Sequence, residues 1–436
     1  MRLIFLLCLL QAVLLKADER VTYRGYQVMS VTAGSQDQVD TLNQLQDDNP
    51  EVVFFGQPAI SRDTEMAVPP QLVAQVVRTM KQTQLVVTLV SGDMQADMDT
   101  VMAENEQNEL LNNRSGRVLR NGRYSPPHNV YYRMDDVDSI MTNLANAYPD
   151  LAVRKQLPLM SELGRNIYYL ELGTAGSNKP VIFIEGLAHA REWIVTASLI
   201  YSIDTMLSNY VSGDQHARDA LNKYTWIIIP VVNPDGYIYT WTSNRLWRKN
   251  RKFIAGSCTG VDLNRNFNVD FGNTGTSNRC SSDTYHGGSP FSEAETQNIA
   301  QVFDGVKSRV VSFLSVHAYS QLLLYPWGYV GSNFDPSPPA NRQKLIDLGR
   351  LMQTALATNG RSYSLGTAYG VLGYAASGAS EDWALQEKPG IFAYCYELRP
   401  ATYNAGGFDI PASEIVPTGQ ELLASLYVLA ERMDTV

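Results

Sequence analysis

The residues Val181-Ile-Phe-Ile-Glu-Gly-Leu-Ala-His189-Ala-Arg-Glu192-Trp193 join two regular elements through a short turn. The apolar run at 181–185 predicts a β-strand, and the apolar spacing over 193–206 predicts an α-helix. His189 and Glu192 lie between them, at the end of the strand. This order of strand, turn and helix is typical of an α/β domain, in which chemistry gathers at the carboxyl ends of the strands.

The same alternation continues on both sides of this stretch, from Tyr131 to the end of the chain. Further strands are predicted at 167–172, 226–232, 311–317 and 390–397, and further helices at 342–358 and 414–433. We therefore expect a catalytic domain over residues 121–436, built as a mixed β-sheet flanked by helices. A chain of 436 residues exceeds what one hydrophobic core usually organises, so a second folded part is expected.

The N-terminal region predicts two further segments. Residues 1–17 combine Arg2, an apolar run and Ala17, which is typical of a secretory signal peptide, and the run is shorter than the roughly 20 residues of a membrane span. Residues 18–120 alternate short strand-like and helix-like pieces and end in an acidic, amide-rich helix over 93–113. We expect a small α/β domain plus a connecting helix, and a secreted, extracellular protein without a membrane anchor.

A polar linker after this helix carries Arg114, Arg117, Arg120 and Arg123. Exposed linkers are where proteolysis concentrates, so this cluster predicts cleavage by a trypsin-like protease; the alternative is a linker that is merely solvated. The net charge of −9 excludes a generally basic surface of the kind that binds nucleic acid.

Three cysteines remain once the signal peptide is removed. Cys258 and Cys280 lie in polar, Gly/Ser/Asn-rich sequence and suit a disulfide that staples a loop in an oxidising compartment. Cys395 lies within an apolar strand pattern, so we expect a buried, unreactive thiol.

Three predicted strands end at candidate active groups: His189 and Glu192, His317, and Glu397. Two imidazoles and a carboxylate are the ligand set of a catalytic zinc ion that keeps one position open for water. Each residue also has an ordinary structural interpretation, because a single His after a strand is often a core residue and a Glu favours a helix start. Their coincidence at strand ends favours a single Zn²⁺ site on His189, Glu192 and His317.

Several ordered motifs are similar to those of the zinc metallocarboxypeptidases of the pancreatic A/B type. These are His189-Ala-Arg-Glu-Trp, Asn244-Arg-Leu-Trp-Arg-Lys, Val261-Asp-Leu-Asn-Arg-Asn, Thr284-Tyr-His-Gly, His317-Ala-Tyr-Ser-Gln-Leu-Leu-Leu-Tyr-Pro, Tyr374-Ala-Ala-Ser-Gly and Tyr396-Glu-Leu-Arg. The resemblance covers the chain from about Tyr131 to its end, and more loosely the preceding segment. It implies a secreted zymogen whose residues 18–120 form an activation prosegment.

The resemblance also implies roles for individual residues. Glu397 would be the general base and Arg248 would stabilise the oxyanion. Asp262 would accept the free N–H of His189. Asn264, Arg265 and Tyr374 would bind the terminal carboxylate of the substrate, and Arg191 would be a further substrate-binding residue.

Substrate preference within this family depends on the residue seven positions after Tyr374, which here is Glu381. A buried carboxylate needs a cationic partner, so Glu381 predicts a preference for C-terminal Lys or Arg, as in B-type enzymes. This Glu departs from the Ile or Asp usual at that position. A Glu381 that bends aside or pairs locally would leave A-like specificity for apolar residues.

A carboxypeptidase-like binding module without activity is a further alternative, although neither a metal ligand, nor Glu397, nor Arg248 is missing. The partners we expect are peptide or protein C-termini, an activating trypsin-like protease and proteinaceous carboxypeptidase inhibitors, with no nucleic acid and no membrane, and we expect a monomer. The resemblance also predicts an unusual cis peptide near Glu397, which Pro400 would make easier to form.

Overall fold

The computed structural model describes residues 20–112, 116–118, 124–176, 178–256, 258–332 and 337–436. The expected signal peptide at 1–17 and the preferred cleavage residue Arg120 lie outside these ranges. Within the described ranges, no helix combines the length and the apolar character that a membrane crossing requires.

Residues 20–112, here called the N-terminal unit, form a four-stranded antiparallel sheet with two helices packed on it. Its elements are β1 (Gln27–Thr32), α1 (Gln36–Asp48), β2 (Val53–Phe54), β3 (Asp63–Val68), α2 (Val73–Gln82) and β4 (Val87–Ser91), followed by the connecting helix α3 (Met94–Leu111). Strand β3 is absent from our sequence prediction, although it lies in the middle of the sheet between β2 and β1.

The remainder of the chain forms the larger domain. Its elements are β5 (Arg117–Val118), β6 (Tyr124–Ser125), α4 (Met134–Ala147), β7 (Ala152–Gln156), β8 (Tyr168–Leu172), β9 (Val181–Gly186), α5 (Trp193–Ser212), α6 (Gln215–Lys223), β10 (Thr225–Ile229), α7 (Pro234–Thr242), β11 (Phe253–Ala255), β12 (Cys258–Thr259), α8 (Ala294–Val306), β13 (Val310–Ala318), β14 (Leu322–Leu324), α9 (Arg342–Leu356), β15 (Ser364–Gly366), α10 (Ala368–Leu372), α11 (Ser380–Glu387), β16 (Phe392–Leu398) and α12 (Ile415–Arg432).

Eight of these strands form one mixed sheet in the order β15-β14-β16-β13-β9-β10-β8-β7. The four central strands β16, β13, β9 and β10 are parallel, whereas β8 and β7 run antiparallel at one edge and β14 pairs antiparallel with β16. All six residues of β9 are buried, as expected of a central strand covered on both faces. The predicted fold class, a mixed sheet flanked by helices behind a small α/β domain, is confirmed.

Three local predictions are also confirmed. Cys258 and Cys280 form a disulfide with a Cα–Cα distance of 5.9 Å, and Cys395 is a buried free cysteine. The Arg399–Pro400 peptide bond is cis.

Candidate metal centre and cleft

The central parallel strands place the candidate ligands side by side. His317 in β13 pairs in register with Glu397 in β16, and Val316 pairs with Gly186 at the end of β9. The chain then turns through Leu187, which has a left-handed φ of 57°, and reaches His189 and Glu192 before α5 begins. Because parallel strands end at the same edge, residues far apart in sequence meet there.

His189, Glu192 and His317 are buried, and one potential ligand atom from each lies within 4.8 Å of the others. His189 Nδ1 lies 2.8 Å from Glu192 Oε1 and 2.9 Å from His317 Nδ1. His317 Nδ1 lies 3.2 Å from Glu192 Oε2. Two ring nitrogens that converge with a carboxylate on one point match the donor set of catalytic zinc.

The second ring nitrogens of both histidines have polar partners. His189 Nε2 lies 3.0 Å from Asp262 Oδ1, and His317 Nε2 lies 2.9 Å from Ser315 Oγ, whose hydroxyl donates to Glu185 Oε1 at 2.5 Å. Partners of this kind orient a metal-bound imidazole and keep Nδ1 free for the ion. The residues therefore fit a single Zn²⁺, which His189, Glu192 and His317 hold.

Asp262 also accepts from Arg248, whose Nε and Nη2 donate to Asp262 Oδ2 at 3.1 and 2.9 Å. Burial opposes ionisation of Asp262, but Arg248 and His189 together hold the pKa of this carboxyl well below its ordinary value. The Asp262 carboxylate accepts from the Asn264 backbone N–H at 3.0 Å as well. One buried carboxylate thus fixes a histidine ligand, the Arg248 guanidinium and the start of the following turn.

The other predicted site residues line the same cleft: Arg191, Asn264, Arg265, Tyr374, Glu381 and Glu397. Arg265 Nε donates to Gly275 O at 3.0 Å, and Asn264 Oδ1 accepts from Ser380 N at 2.9 Å. Arg191 Nη1 forms an ion pair with Asp283 at 3.2 Å. The cleft has a volume of about 750 Å³.

Two of the predicted site residues are carboxyl groups with raised pKa values. Burial, followed by the nearby Glu192 carboxylate, raises the pKa of Glu397 above its ordinary value. Burial also raises the pKa of Glu381. Glu381 Oε2 is buried and has no hydrogen-bond partner among the described residues.

The N-terminal unit forms one wall of this cleft, through residues that include Asp47, Gln57 and Glu65. Asp47 pairs with Arg279 at 2.9 Å, and Gln57 Nε2 donates to Gly275 O at 3.0 Å. The Glu65 carboxylate also accepts hydrogen bonds from donors in the larger domain. The unit therefore covers the metal ligands and the guanidinium groups around them.

Sequence reasoning missed some residues that shape the site. Ser315 contacts the His317 ring and Glu185 accepts from the Ser315 hydroxyl, so together they orient His317. Both lie inside strands, where their sequence positions look like those of ordinary strand residues. Glu65 lies in a strand that was not predicted. Only Glu185 could have been noticed in the sequence, because it is a charged residue within an apolar strand. A buried carboxylate needs polar partners, so its presence there indicates a hydrogen-bond network.

A buried His–Glu–His centre at the carboxyl ends of parallel strands, beside an arginine-lined cleft, defines a mononuclear zinc hydrolase. A family model described as "Zinc carboxypeptidase" matches residues 137–425, and one described as "Carboxypeptidase activation peptide" matches residues 29–100. The chain belongs to the zinc carboxypeptidase family.

Relatives with both A-type and B-type names are similar to this chain. It is 33% identical to Zinc carboxypeptidase A 1 of Drosophila melanogaster, over 100% of this chain and 98% of that protein. It is 38% identical to Carboxypeptidase B of Astacus astacus, over 69% of this chain and 96% of that protein. The solved structure of bovine thrombin-activatable fibrinolysis inhibitor in complex with tick carboxypeptidase inhibitor is 28% identical, with a TM-score of 0.64, and the match covers 70% of this chain and 98% of that one.

Proposed function

We propose that this zinc carboxypeptidase is secreted as a zymogen and, once activated, releases C-terminal Lys and Arg, with Lys preferred. The observation that carries the specificity is Glu381. Its Oε2 is buried in the cleft without a hydrogen-bond partner in the described part of the chain. A carboxylate in that position is costly unless a cation joins it, and a Lys side chain supplies a compact cation on a flexible stem.

The reaction follows from the positions of the side chains. His189, Glu192 and His317 would hold Zn²⁺, which would supply a Lewis acid for the scissile carbonyl and lower the pKa of a bound water molecule. Glu397 takes the proton from the attacking water and passes it to the leaving amine. Arg248, held by Asp262, donates hydrogen bonds to the oxygen on which negative charge develops.

Asn264, Arg265 and Tyr374 bind the terminal carboxylate of the substrate in this proposal. They line the same cleft as the zinc ligands, and guanidinium and amide groups are strong partners for a carboxylate. A buried carboxylate needs such partners, which explains why the enzyme acts at chain ends rather than within chains.

Activation in this proposal is a cut in the arginine-bearing linker, preferably after Arg120, which separates residues 18–120 from residues 121–436. The N-terminal unit lies over the cleft, so its loss opens access to the metal ligands. Secretion through a signal peptide at residues 1–17 brings the zymogen to an extracellular trypsin-like protease. The bovine relative binds a tick carboxypeptidase inhibitor, which supports proteinaceous inhibitors as partners of this chain too.

A-like specificity is the second candidate, because the cleft around Glu381 also has apolar walls. Leu322, Leu324 and Ala368 line it and form one buried cluster with Cys395. A Glu381 side chain turned away from the substrate would leave these walls to receive Leu or Phe.

The proposal is tested by the turnover of peptides that differ only in the last residue: Lys, Arg, Leu, Phe or Glu. After trypsin treatment we expect Lys to exceed Arg by about tenfold in kcat/KM, because one methylene of misfit has about that effect. We expect Glu381→Asp to shift the balance toward Arg, because its shorter side chain leaves room for the guanidinium.

The matched control is Glu387→Gln on the same helix, where Glu387 pairs with Lys307 instead of lining the cleft. This variant should keep the wild-type order. Faster turnover of the Phe or Leu peptide than of the Lys peptide would overturn the specificity and leave the zinc chemistry standing.

A further inference from the structure

Glu65 of the N-terminal unit inserts a carboxylate into the larger domain, close to the zinc ligands. Its Oε2 accepts from the Tyr319 hydroxyl at 3.0 Å, and its two carboxylate oxygens accept from the Tyr403 backbone N–H at 3.0 and 2.9 Å. Tyr319 follows the ligand His317 by two residues. Both donors belong to the larger domain, so they remain when the N-terminal unit leaves.

Aromatic rings surround these donors. The Tyr319 ring meets the Phe408 ring edge-on, with the centroids 4.9 Å apart. On the side of the N-terminal unit, the Phe55 ring stacks on Tyr403 at 5.2 Å and meets Phe408 edge-on at 5.9 Å. Phe55, which directly follows β2, also donates its backbone N–H to Glu65 O in β3 at 3.0 Å, so the ring and the carboxylate come from adjoining parts of the N-terminal sheet.

Positive charge lies beside the same rings. The Arg191 guanidinium carbon is 4.4 Å from the centroid of the Phe408 ring. Arg191, Tyr319, Phe408 and Glu65 line the cleft that also contains His189. The Tyr319 hydroxyl and the Tyr403 backbone amide thus form a partly apolar corner that can bind a carboxylate, and the Arg191 guanidinium adds positive charge on the neighbouring Phe408 ring.

We propose that the activated enzyme uses this corner, defined by the Tyr319 hydroxyl and the Tyr403 amide, to bind an acidic side chain of its substrate upstream of the C-terminal residue. The inference rests on the proposed function and deepens it by naming the substrate class: peptides with Glu or Asp near a basic C-terminus. Removal of the N-terminal unit takes away the Glu65 carboxylate. The Tyr319 hydroxyl and the Tyr403 backbone N–H then lose their acceptor and become accessible to another carboxylate. A Glu side chain of a substrate has the same length and chemistry as Glu65.

The experiment compares peptides that end in Lys and carry Glu or its neutral isostere Gln at the second, third or fourth position from the C-terminus. With the trypsin-activated, zinc-loaded enzyme we expect one Glu peptide to exceed its Gln partner in kcat/KM by roughly tenfold, the scale of one charge-assisted hydrogen bond. Tyr319→Phe removes the hydroxyl and should bring this ratio close to one.

Tyr403→Phe is the matched control, because it keeps the backbone N–H that contacts Glu65 and removes a hydroxyl that donates to Asp97 of the N-terminal unit. It should retain the preference for the Glu peptide. Glu/Gln ratios near one at all three positions, with the Gln peptides cleaved normally, would overturn the inference and leave the proposed function intact.

Failure to cleave the Gln peptides would contradict the proposed function instead. The dissociation constants of the same peptide pairs, measured by calorimetry, then test the corner separately. Tighter binding of a Glu peptide supports it, and equal binding of all pairs overturns it.

Discussion

Glu397 stands beside His317 on the neighbouring strand, in register with it, and faces the cleft without serving as one of the three metal ligands. Glu397→Gln should therefore keep zinc, measured as metal content, while kcat falls by about 10²-fold to 10⁴-fold because proton transfer is lost. His317→Ala should lose the metal itself. Near-wild-type turnover of the Gln variant would show that Glu397 is not the base.

A second carboxyl group, far from any proposed role in catalysis, predicts how stability changes with pH. Glu295 in α8 is buried and shares the Asn250 side-chain amide with Glu293, at 3.3 Å and 2.7 Å respectively. Burial, reinforced by the Glu293 charge, raises the pKa of Glu295 to about 8. Between its ordinary pKa and 8 the folded state holds a proton that the unfolded state releases, so stability falls as the pH rises through this window.

Glu295→Gln replaces the carboxyl group by an amide that does not titrate, so this contribution to the pH dependence of stability is lost. We expect the variant to be more stable than the wild type by at least about 1 kcal/mol at pH 8, since one pKa unit corresponds to about 1.4 kcal/mol. The difference in melting temperature should shrink toward pH 5. The exposed Glu162→Gln serves as the control and should change little, and equal pH profiles of wild type and Glu295→Gln would contradict the assignment.

Among the individual residues, the metal ligands could be predicted from the sequence, because His189, Glu192 and His317 follow or end strongly apolar strands. Ser315 and Glu65 could not, because their importance arises from partners 130 and 254 residues away. Such contacts are set by strand register and domain docking, which local patterns do not encode.

Among the elements, the segment between Tyr374 and α11 determines where the cleft residues lie. Gly378 in this segment has a φ of +75°, and an added Cβ would lie 2.3 Å from the Arg265 carbonyl oxygen. Other residues rarely adopt this backbone conformation, and the neighbouring atom is backbone that cannot rotate away. Gly378 thus permits the close contact between this segment and the turn that carries Asn264 and Arg265.

Gly378→Ala should therefore separate Arg265 from Glu381 and raise KM at least several-fold for peptides with a free C-terminus. The measurement is steady-state kinetics on the activated enzyme, with zinc content checked in parallel. Gly288→Ala is the control, because a Cβ there meets nothing within 4 Å. An unchanged KM in the folded Gly378 variant would remove this segment from substrate binding.

The sequence predicted the long central strands and helices α5, α9 and α12, because buried strands and amphipathic helices have clear apolar patterns. It did not predict several other elements, among them α4, β7, α8, β3, β14 and β15. Strands β14 and β15 have three residues each, too few for periodicity to be distinguished. Strand β3 begins with Asp-Thr-Glu and buries its later residues, so its pattern is mixed.

At the scale of the whole molecule, the protein is a zinc carboxypeptidase whose cleft is covered by its own N-terminal unit. The contacts that hold this unit in place include the Asp47–Arg279 ion pair and the Glu65 hydrogen bonds, both with residues near the cleft. The N-terminal unit therefore covers the same 750 Å³ cleft in which the larger domain recognises the chain end of its substrate.

The most direct measurement is the release of free lysine from two otherwise identical Lys-ending peptides, one with a C-terminal carboxylate and one with a C-terminal amide. We predict that the trypsin-treated enzyme releases lysine from the carboxylate peptide only, that a zinc chelator abolishes the release and added Zn²⁺ restores it, and that the uncut chain is nearly inactive. Equal cleavage of both peptides, full activity in the chelator, or full activity of the uncut chain would contradict the account.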